Sequence, residues 1–270
     1  MIASDRKVIG APPTRRCHHS RLITLLLLGL TLCNTASWAN PQTSLNHAYQ
    51  QQRALVTTQL LEGRQIAGFK AGLTSPGSQN QFGLKQPIAG VLLAPALLST
   101  DKPIRRPTNG DSMMIETELA FLMGCTLKAP IKEITALQTC VSAVAPAIEL
   151  PEISPELLGN LTANGLVSTN VGAARVILGE PQPPLFDLNA LQIKLSDHSD
   201  QLLNQAEGRD ALGDQWQALR WLVNQVLAQG WAIQPGQVLI TGALGKPVMA
   251  TPGAYQGDFG KLGKLSFTIK

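Results

Sequence analysis

Two carboxylates stand two residues apart in the run Met113-Met114-Ile115-Glu116-Thr117-Glu118-Leu119-Ala120-Phe121-Leu122. The β-branched and aromatic residues around them suit a pleated strand. On a strand, residues two apart leave by the same face, so Glu116 and Glu118 project together. Two carboxylates side by side on a buried face repel each other and are costly to strip of water. A divalent cation offsets that cost, and hard ions such as Mg²⁺, or Mn²⁺ with the same ligand preference, take oxygen donors. An exposed edge strand with solvated glutamates has the same pattern, so the pair alone does not decide between the two.

Two further segments supply candidates. In Gly68-Phe69-Lys70-Ala71-Gly72, alternation puts Lys70 on one face with Gly68 and Gly72. Glycines beside a lysine leave it space and permit close approach of a ligand; a lysine that discourages edge-strand pairing is the simpler alternative. In Pro146-Ala147-Ile148-Glu149-Leu150, Glu149 points from a short strand and can complete a three-carboxylate site with Glu116 and Glu118.

The elements that position these residues are mostly strands. A helix capped by Thr43 or Ser44 is expected to end near Leu61, followed by strands at residues 66–74 and 88–93 with a loop at 75–86 between them. A Pro- and Arg-rich loop with the turn signal Asn109-Gly110 leads into the glutamate strand. Apolar spacing then predicts a helix over residues 133–144, stopped by Pro146. A short helix is expected at 156–164, with strands at 170–178 and 188–197. The clearest helix lies at 209–229, where Leu212, Trp216, Leu219, Leu222, Val223, Val226 and Leu227 follow helical spacing and Gly230 takes the position after the cap. Buried strands at 237–242 and 265–269 close the chain. Strands and helices do not alternate, which predicts an α+β fold with a mixed sheet rolled into a barrel-like core and helices outside.

Of 270 residues, 44% are hydrophobic and 15% charged, a globular composition. The net charge of +4 is concentrated before residue 40, where five basic residues meet one acid. The remainder is neutral, and nothing in it forms a nucleic-acid footprint. Residues 22–33 are an apolar run of twelve, followed by Ser37-Trp38-Ala39. A basic start, a short apolar run and small residues before a cut are the three parts of a secretory signal. The run falls short of the roughly 20 residues that span a bilayer. The expectation is a signal over residues 1–39, an exported chain from Asn40, and no stable membrane insertion after cleavage. An uncleaved anchor and a lipid-modified Cys33 are the alternatives. In an oxidising compartment Cys125 and Cys140 can pair; they can also be two small buried hydrophobes.

Taken in order, several segments resemble the 2-oxopent-4-enoate (2-hydroxypentadienoate) hydratases and 4-oxalocrotonate decarboxylases of the fumarylacetoacetate hydrolase superfamily. They are Gly68-Phe69-Lys70-Ala71-Gly72-Leu73-Thr74-Ser75, Phe82-Gly83-x-x-Gln86-Pro87-x-x-Gly90-Val91-Leu92, Ile115-Glu116-x-Glu118-x-Ala120-Phe121 and Pro146-Ala147-Ile148-Glu149. Leu212-Gly213-Asp214, the run from Pro235 to Gly242 and Asp258-Phe259-Gly260 agree, so the resemblance covers nearly all of residues 45–270.

The resemblance implies a divalent-metal-dependent hydro-lyase acting on a short unsaturated 2-oxo acid, with the related decarboxylation as an alternative. It implies metal ligands at Glu116, Glu118 and Glu149, a Mg²⁺ or Mn²⁺ ion, a proton-transferring Lys70 and a homo-oligomer. Thr74, Ser75, Thr241 and Gly242 are the expected donors to a substrate carboxylate. The chain departs from the pattern at Ile88 and Thr169, where the family places acids, and in its export signal. These departures keep a second reading open, an exported relative that binds a 2-oxo acid without turning it over. His47 and His198 lie beside no motif, which disfavours the hydrolases of the superfamily.

Overall fold

A computed structural model describes residues 41–98, 102–184 and 187–270. The expected signal segment lies outside them. Among the described residues no helix is long and apolar enough to cross a membrane.

Thirteen strands and six α-helices make up the described chain. Helix α1 (Pro41–Leu61) leads into β1 (Ile66–Gly72), α2 (Pro76–Gln81), β2 (Ile88–Leu93) and β3 (Leu97–Leu98). The long strand β4 (Ser112–Met123) is followed by α3 (Ile134–Gln138), β5 (Val141–Leu150) and β6 (Glu152–Ile153). Helices α4 (Pro155–Gly159) and α5 (Ala163–Ser168) precede a 3-10 turn at Asn170–Gly172 and β7 (Arg175–Leu178). The chain then forms β8 (Gln192–Asp197), β9 (Leu202–Glu207), α6 (Gln215–Ala228), β10 (Val238–Ile240), β11 (Val248–Met249), β12 (Gly253–Asp258) and β13 (Lys264–Ile269).

The larger sheet runs β2-β1-β10-β4-β5-β7-β3, with β6 and β11 also pairing β4. It is mixed and curled: β1 and β10 are parallel, while β4 is antiparallel to both β10 and β5. A second sheet, β13-β12-β8-β9, is antiparallel throughout.

The parity of β4 sorts its side chains. Ile115, Leu119 and Phe121 enter the main core, joined by Val144 and Ile148 from β5. Helix α6 packs there through Leu219, Leu222 and Val223, and Trp216 meets Phe121 edge to face at 5.2 Å. Each such large side chain, once buried, contributes about 1.5–3 kcal/mol. The opposite face carries Glu116 and Glu118, and beyond them small side chains: Ala120, Ala145 and Ala147.

The expected elements recur with instructive differences. The predicted helix over 133–144 ends at Gln138, because from Val141 onward the chain pairs with β4. Pro146 therefore stops no helix; it sits inside β5 opposite Leu119. Cys125 and Cys140 form a disulfide, Cα–Cα 5.2 Å, which ties the end of β4 to the start of β5. The loop at 75–86 contains α2, capped by the Ser75 hydroxyl accepting from the Ser78 amide at 3.1 Å. The expected short helix at 156–164 is two helices, α4 and α5, and the strand expected from residue 170 begins only at Arg175.

Candidate metal centre and pocket

Antiparallel register places Glu116 directly opposite Glu149, with Glu118 opposite Ala147. All three carboxylates therefore leave one face of the β4–β5 pair. Each offers an oxygen within 4.8 Å of the others. Glu118 and Glu149 are fully buried. The Gly242 amide, just past the end of β10, donates to Glu118 Oε2 at 2.8 Å and fixes that side chain. Glu118 Oε1 and Glu149 Oε2 have no hydrogen-bond donor. Buried carboxylate oxygens without donors are expensive, and a hard cation is the partner that the donor set suits.

Lys70 meets this cluster from β1. Its Nζ lies 2.5 Å from Glu149 Oε1 and donates to the Val171 carbonyl at 3.1 Å. Only 3% of the residue is exposed. In the order β2-β1-β10-β4-β5, strands β1 and β5 are three steps apart. Flat strands would stand about 14 Å apart at that separation, so the contact depends on the curl of the sheet.

Electrostatics follow from this crowding. Burial pushes Glu116 up to about 7, Glu149 adds to the rise, and Lys70 opposes it. Burial, then Glu149 and Glu116, hold Glu118 well above the usual carboxylate value. Burial also raises Glu149, against the pull of Lys70. For Lys70, burial acts downward, but Glu149, Glu116 and Glu118 outweigh it and hold the ammonium above its ordinary value. Three carboxylates and one ammonium sum to −2 when all are ionised. One divalent ion neutralises them.

The backbone beside Lys70 is irregular. Asn170, Val171 and Gly172 are all left-handed, at φ 61°, 57° and 63°. For a β-branched residue this conformation costs on the order of 1–3 kcal/mol. Asn170 offsets it by clamping β2: its Oδ1 accepts from the Val91 amide and its Nδ2 donates to the Val91 carbonyl, both at 2.8 Å. The clamp aims the Val171 carbonyl at Lys70. The glycine that makes room is Gly90, Lys70's cross-strand partner; a Cβ there would lie 3.1 Å from Lys70 Cγ and 2.9 Å from the Asn170 carbonyl. Gly68 instead admits β10, since its Cβ would strike the Val238 carbonyl.

Lys70 and Glu116 open into a cavity of about 330 Å³. Thr74, Ser75 and Ser78 line it. Thr241 does not: its hydroxyl donates to Gln215 Oε1 at 2.6 Å, inside the contact between β10 and α6. Gly242 is also turned to a different use, since its amide is spent on Glu118. The first correction has a simple cause. The parity of β10 sends Ile240 to the glutamate face and its neighbour Thr241 toward α6.

Ile88 lines the cavity with no exposed surface, so its departure from the family pattern falls in the site. Thr169 is exposed and does not line the cavity; its hydroxyl donates to the Gly165 and Leu166 carbonyls at the end of α5. The sequence reading missed the Asn170 clamp and an apolar wall made by Phe82, Leu158, Leu161 and Leu166. The adjacent glycines and apolar residues of those segments carry no periodic signal that would have found them.

No protein-family model matches the chain. A 2-oxo-hept-4-ene-1,7-dioate hydratase of Escherichia coli is 28% identical over 235 residues, 84% of this chain and 87% of that protein. Over most of its length the chain is similar in sequence to 2-oxo acid hydratases. A 2-keto-4-pentenoate hydratase of Dechloromonas aromatica is 29% identical over 210 residues, covering 76% of this chain and 78% of that protein. Among solved structures, the 4-oxalocrotonate decarboxylase of Pseudomonas putida G7, complexed with magnesium and adipate, superposes with a TM-score of 0.77. The match covers 85% of this chain and 88% of that one at 22% identity, so it speaks for a shared fold.

Proposed function

We propose that this chain is a divalent-metal-dependent hydro-lyase that adds water to a short unsaturated 2-oxo acid in its 2-hydroxydiene form. The observation that carries the reading is the buried cage of Glu116, Glu118 and Glu149, with donor-less oxygens, beside Lys70 at the inner end of a cavity. The names of the hydratase relatives support it.

Glu116, Glu118 and Glu149 hold Mg²⁺ or Mn²⁺, and the Gly242 amide keeps Glu118 oriented for ligation. Such an ion supplies Lewis-acid polarisation of the 2-oxo group and its carboxylate. Lys70 exchanges a proton with the substrate carbon chain, and the Glu149 carboxylate and Val171 carbonyl hold its Nζ in place. Thr74 presents its hydroxyl to the substrate carboxylate, while the Ser75 and Ser78 hydroxyls beside it donate within the cap of α2. For 2-hydroxypenta-2,4-dienoate the balance is simple. A proton goes to C5, the water oxygen to C4, and the enol proton returns to C3. One water is added and nothing is oxidised.

We place the mature protein in the periplasm or outside the cell, as a homo-oligomer. The signal-like segment at 1–39 and the Cys125–Cys140 disulfide support export. Ile88 keeps one competitor alive, an exported binder of 2-oxo acids that lacks turnover. The test is to follow dienol absorbance with purified mature protein, Mn²⁺ and 2-hydroxypenta-2,4-dienoate. The expected result is metal-dependent loss that Glu116→Ala removes. Metal binding without any loss of absorbance assigns the protein to the binder class instead.

A further inference from the structure

The cavity has two chemically different parts. The polar side chains of its lining are Lys70, Glu116, Thr74, Ser75, Ser78 and Gln81. Its other walls are hydrocarbon: Phe82, Ile88, Ile153, Leu158, Leu161 and Leu166. Five of these six are not scattered, and Leu158 is the half-exposed sixth. Ile88 and Leu166 belong to a separate hydrophobic cluster with Val171, and Phe82, Ile153 and Leu161 pack against it. The wall is thus the open side of a continuous apolar unit, held by α1, α5 and the left-handed turn.

Among the described residues, Lys70 is the sole basic side chain lining the cavity. Its Nζ is already shared by Glu149 and the Val171 carbonyl. Apart from Lys70 and Glu116, the polar lining is neutral hydroxyls and the Gln81 amide, so no cation is left to meet a second carboxylate. An unpaired carboxylate buried there bears its full desolvation cost, while hydrocarbon gains from burial.

We propose that this pocket selects 2-oxo monoacids whose far end is an apolar tail, and rejects ω-carboxylated diacids, with Leu158, Leu161, Leu166 and Phe82 as the specificity-determining residues. This deepens the functional reading above and rests on it: the metal end holds the 2-oxo acid head, and the apolar wall takes the tail. A cavity of about 330 Å³ leaves room for a tail longer than that of a five-carbon acid.

The test is binding, so it does not depend on turnover. Titrate the Mg²⁺-loaded full-length mature protein by calorimetry with pyruvate, 2-oxobutanoate, 2-oxopentanoate, 2-oxohexanoate and 2-oxoheptanoate, and with 2-oxoheptanedioate. Affinity is expected to rise about fourfold per added methylene over several steps. The seven-carbon diacid is expected to bind at least about tenfold more weakly than the seven-carbon monoacid. Leu158 is 46% exposed, so Leu158→Lys leaves the fold intact. That variant is expected to narrow the gap by improving the diacid and weakening the long monoacid. A flat monoacid series, a diacid that binds as well as its monoacid, or a Leu158→Lys protein with unchanged preference overturns the tail assignment while metal-dependent pyruvate binding preserves the site reading. If pyruvate itself shows no metal-dependent binding, both readings fall together.

Discussion

Two regions converge on Lys70, and they are built by opposite rules. The β4–β5 pair is regular: its register sets Glu116 opposite Glu149, and the alternation of side chains does the rest. The other region, from β2 to the turn at Asn170–Gly172, is irregular. It places a carbonyl by left-handed backbone and lines the cavity with hydrocarbon. Charge for a cation comes from the regular region, where ligand geometry must be rigid. The setting of Lys70, and the apolar wall of the cavity, come from the irregular one.

The contrast between these regions can be sharpened or broken by substitution. The largest effect is expected where they meet. Lys70→Met should lower kcat by about 10²- to 10⁴-fold, the usual contribution of a positioned proton-transfer group. It should leave metal binding measurable by calorimetry, because the three carboxylates remain. A Lys70→Met protein within a few-fold of the parent rate places proton transfer elsewhere.

The next effect belongs to the regular region. The Cys125–Cys140 bridge closes a separation of 15 residues. Cys125→Ser should cost roughly 3 kcal/mol in a denaturant titration by the chain-entropy estimate. The bridge joins the ends of β4 and β5 remote from the glutamates, so the kcat of the protein that remains folded should be unchanged. A loss of kcat larger than the loss of folded fraction contradicts the rigid-pair picture.

The smallest stability effect is expected in the irregular region. Asn170→Ala removes both hydrogen bonds to Val91 and an asparagine from a left-handed position it tolerates better than alanine. The expected cost is about 1–3 kcal/mol. Here activity should fall further than stability, because the Val171 carbonyl loses its aim at Lys70. Equal losses in folded fraction and in kcat would reduce the turn to an ordinary structural loop.

Much of the regular region was legible in the sequence. Period-two alternation placed Glu116 and Glu118 on one face, and the strand after Pro146 carried Glu149. The helix now seen as α6 was legible for the same reason: a long amphipathic period survives local noise. The errors fell where a tertiary partner overrides a local preference. The predicted helix over 133–144 had helical spacing, but Val141 is claimed by pairing with Met123. Thr241 looked like a substrate donor until the parity of β10 sent it to Gln215. The left-handed turn has no sequence signature at Val171, a residue that rarely adopts it.

By itself the chain determined the ligand types and their faces. It also determined the positions of the strands that carry them. Those follow from backbone periodicity, which is a local property. The tertiary structure decided that Lys70 and Glu149, three strands apart in the sheet, touch at 2.5 Å. It decided that Cys125 and Cys140 pair, and that Ile88 faces the cavity while Thr169 does not. Sheet curl and strand register set these contacts, and both arise from the packing of the whole chain.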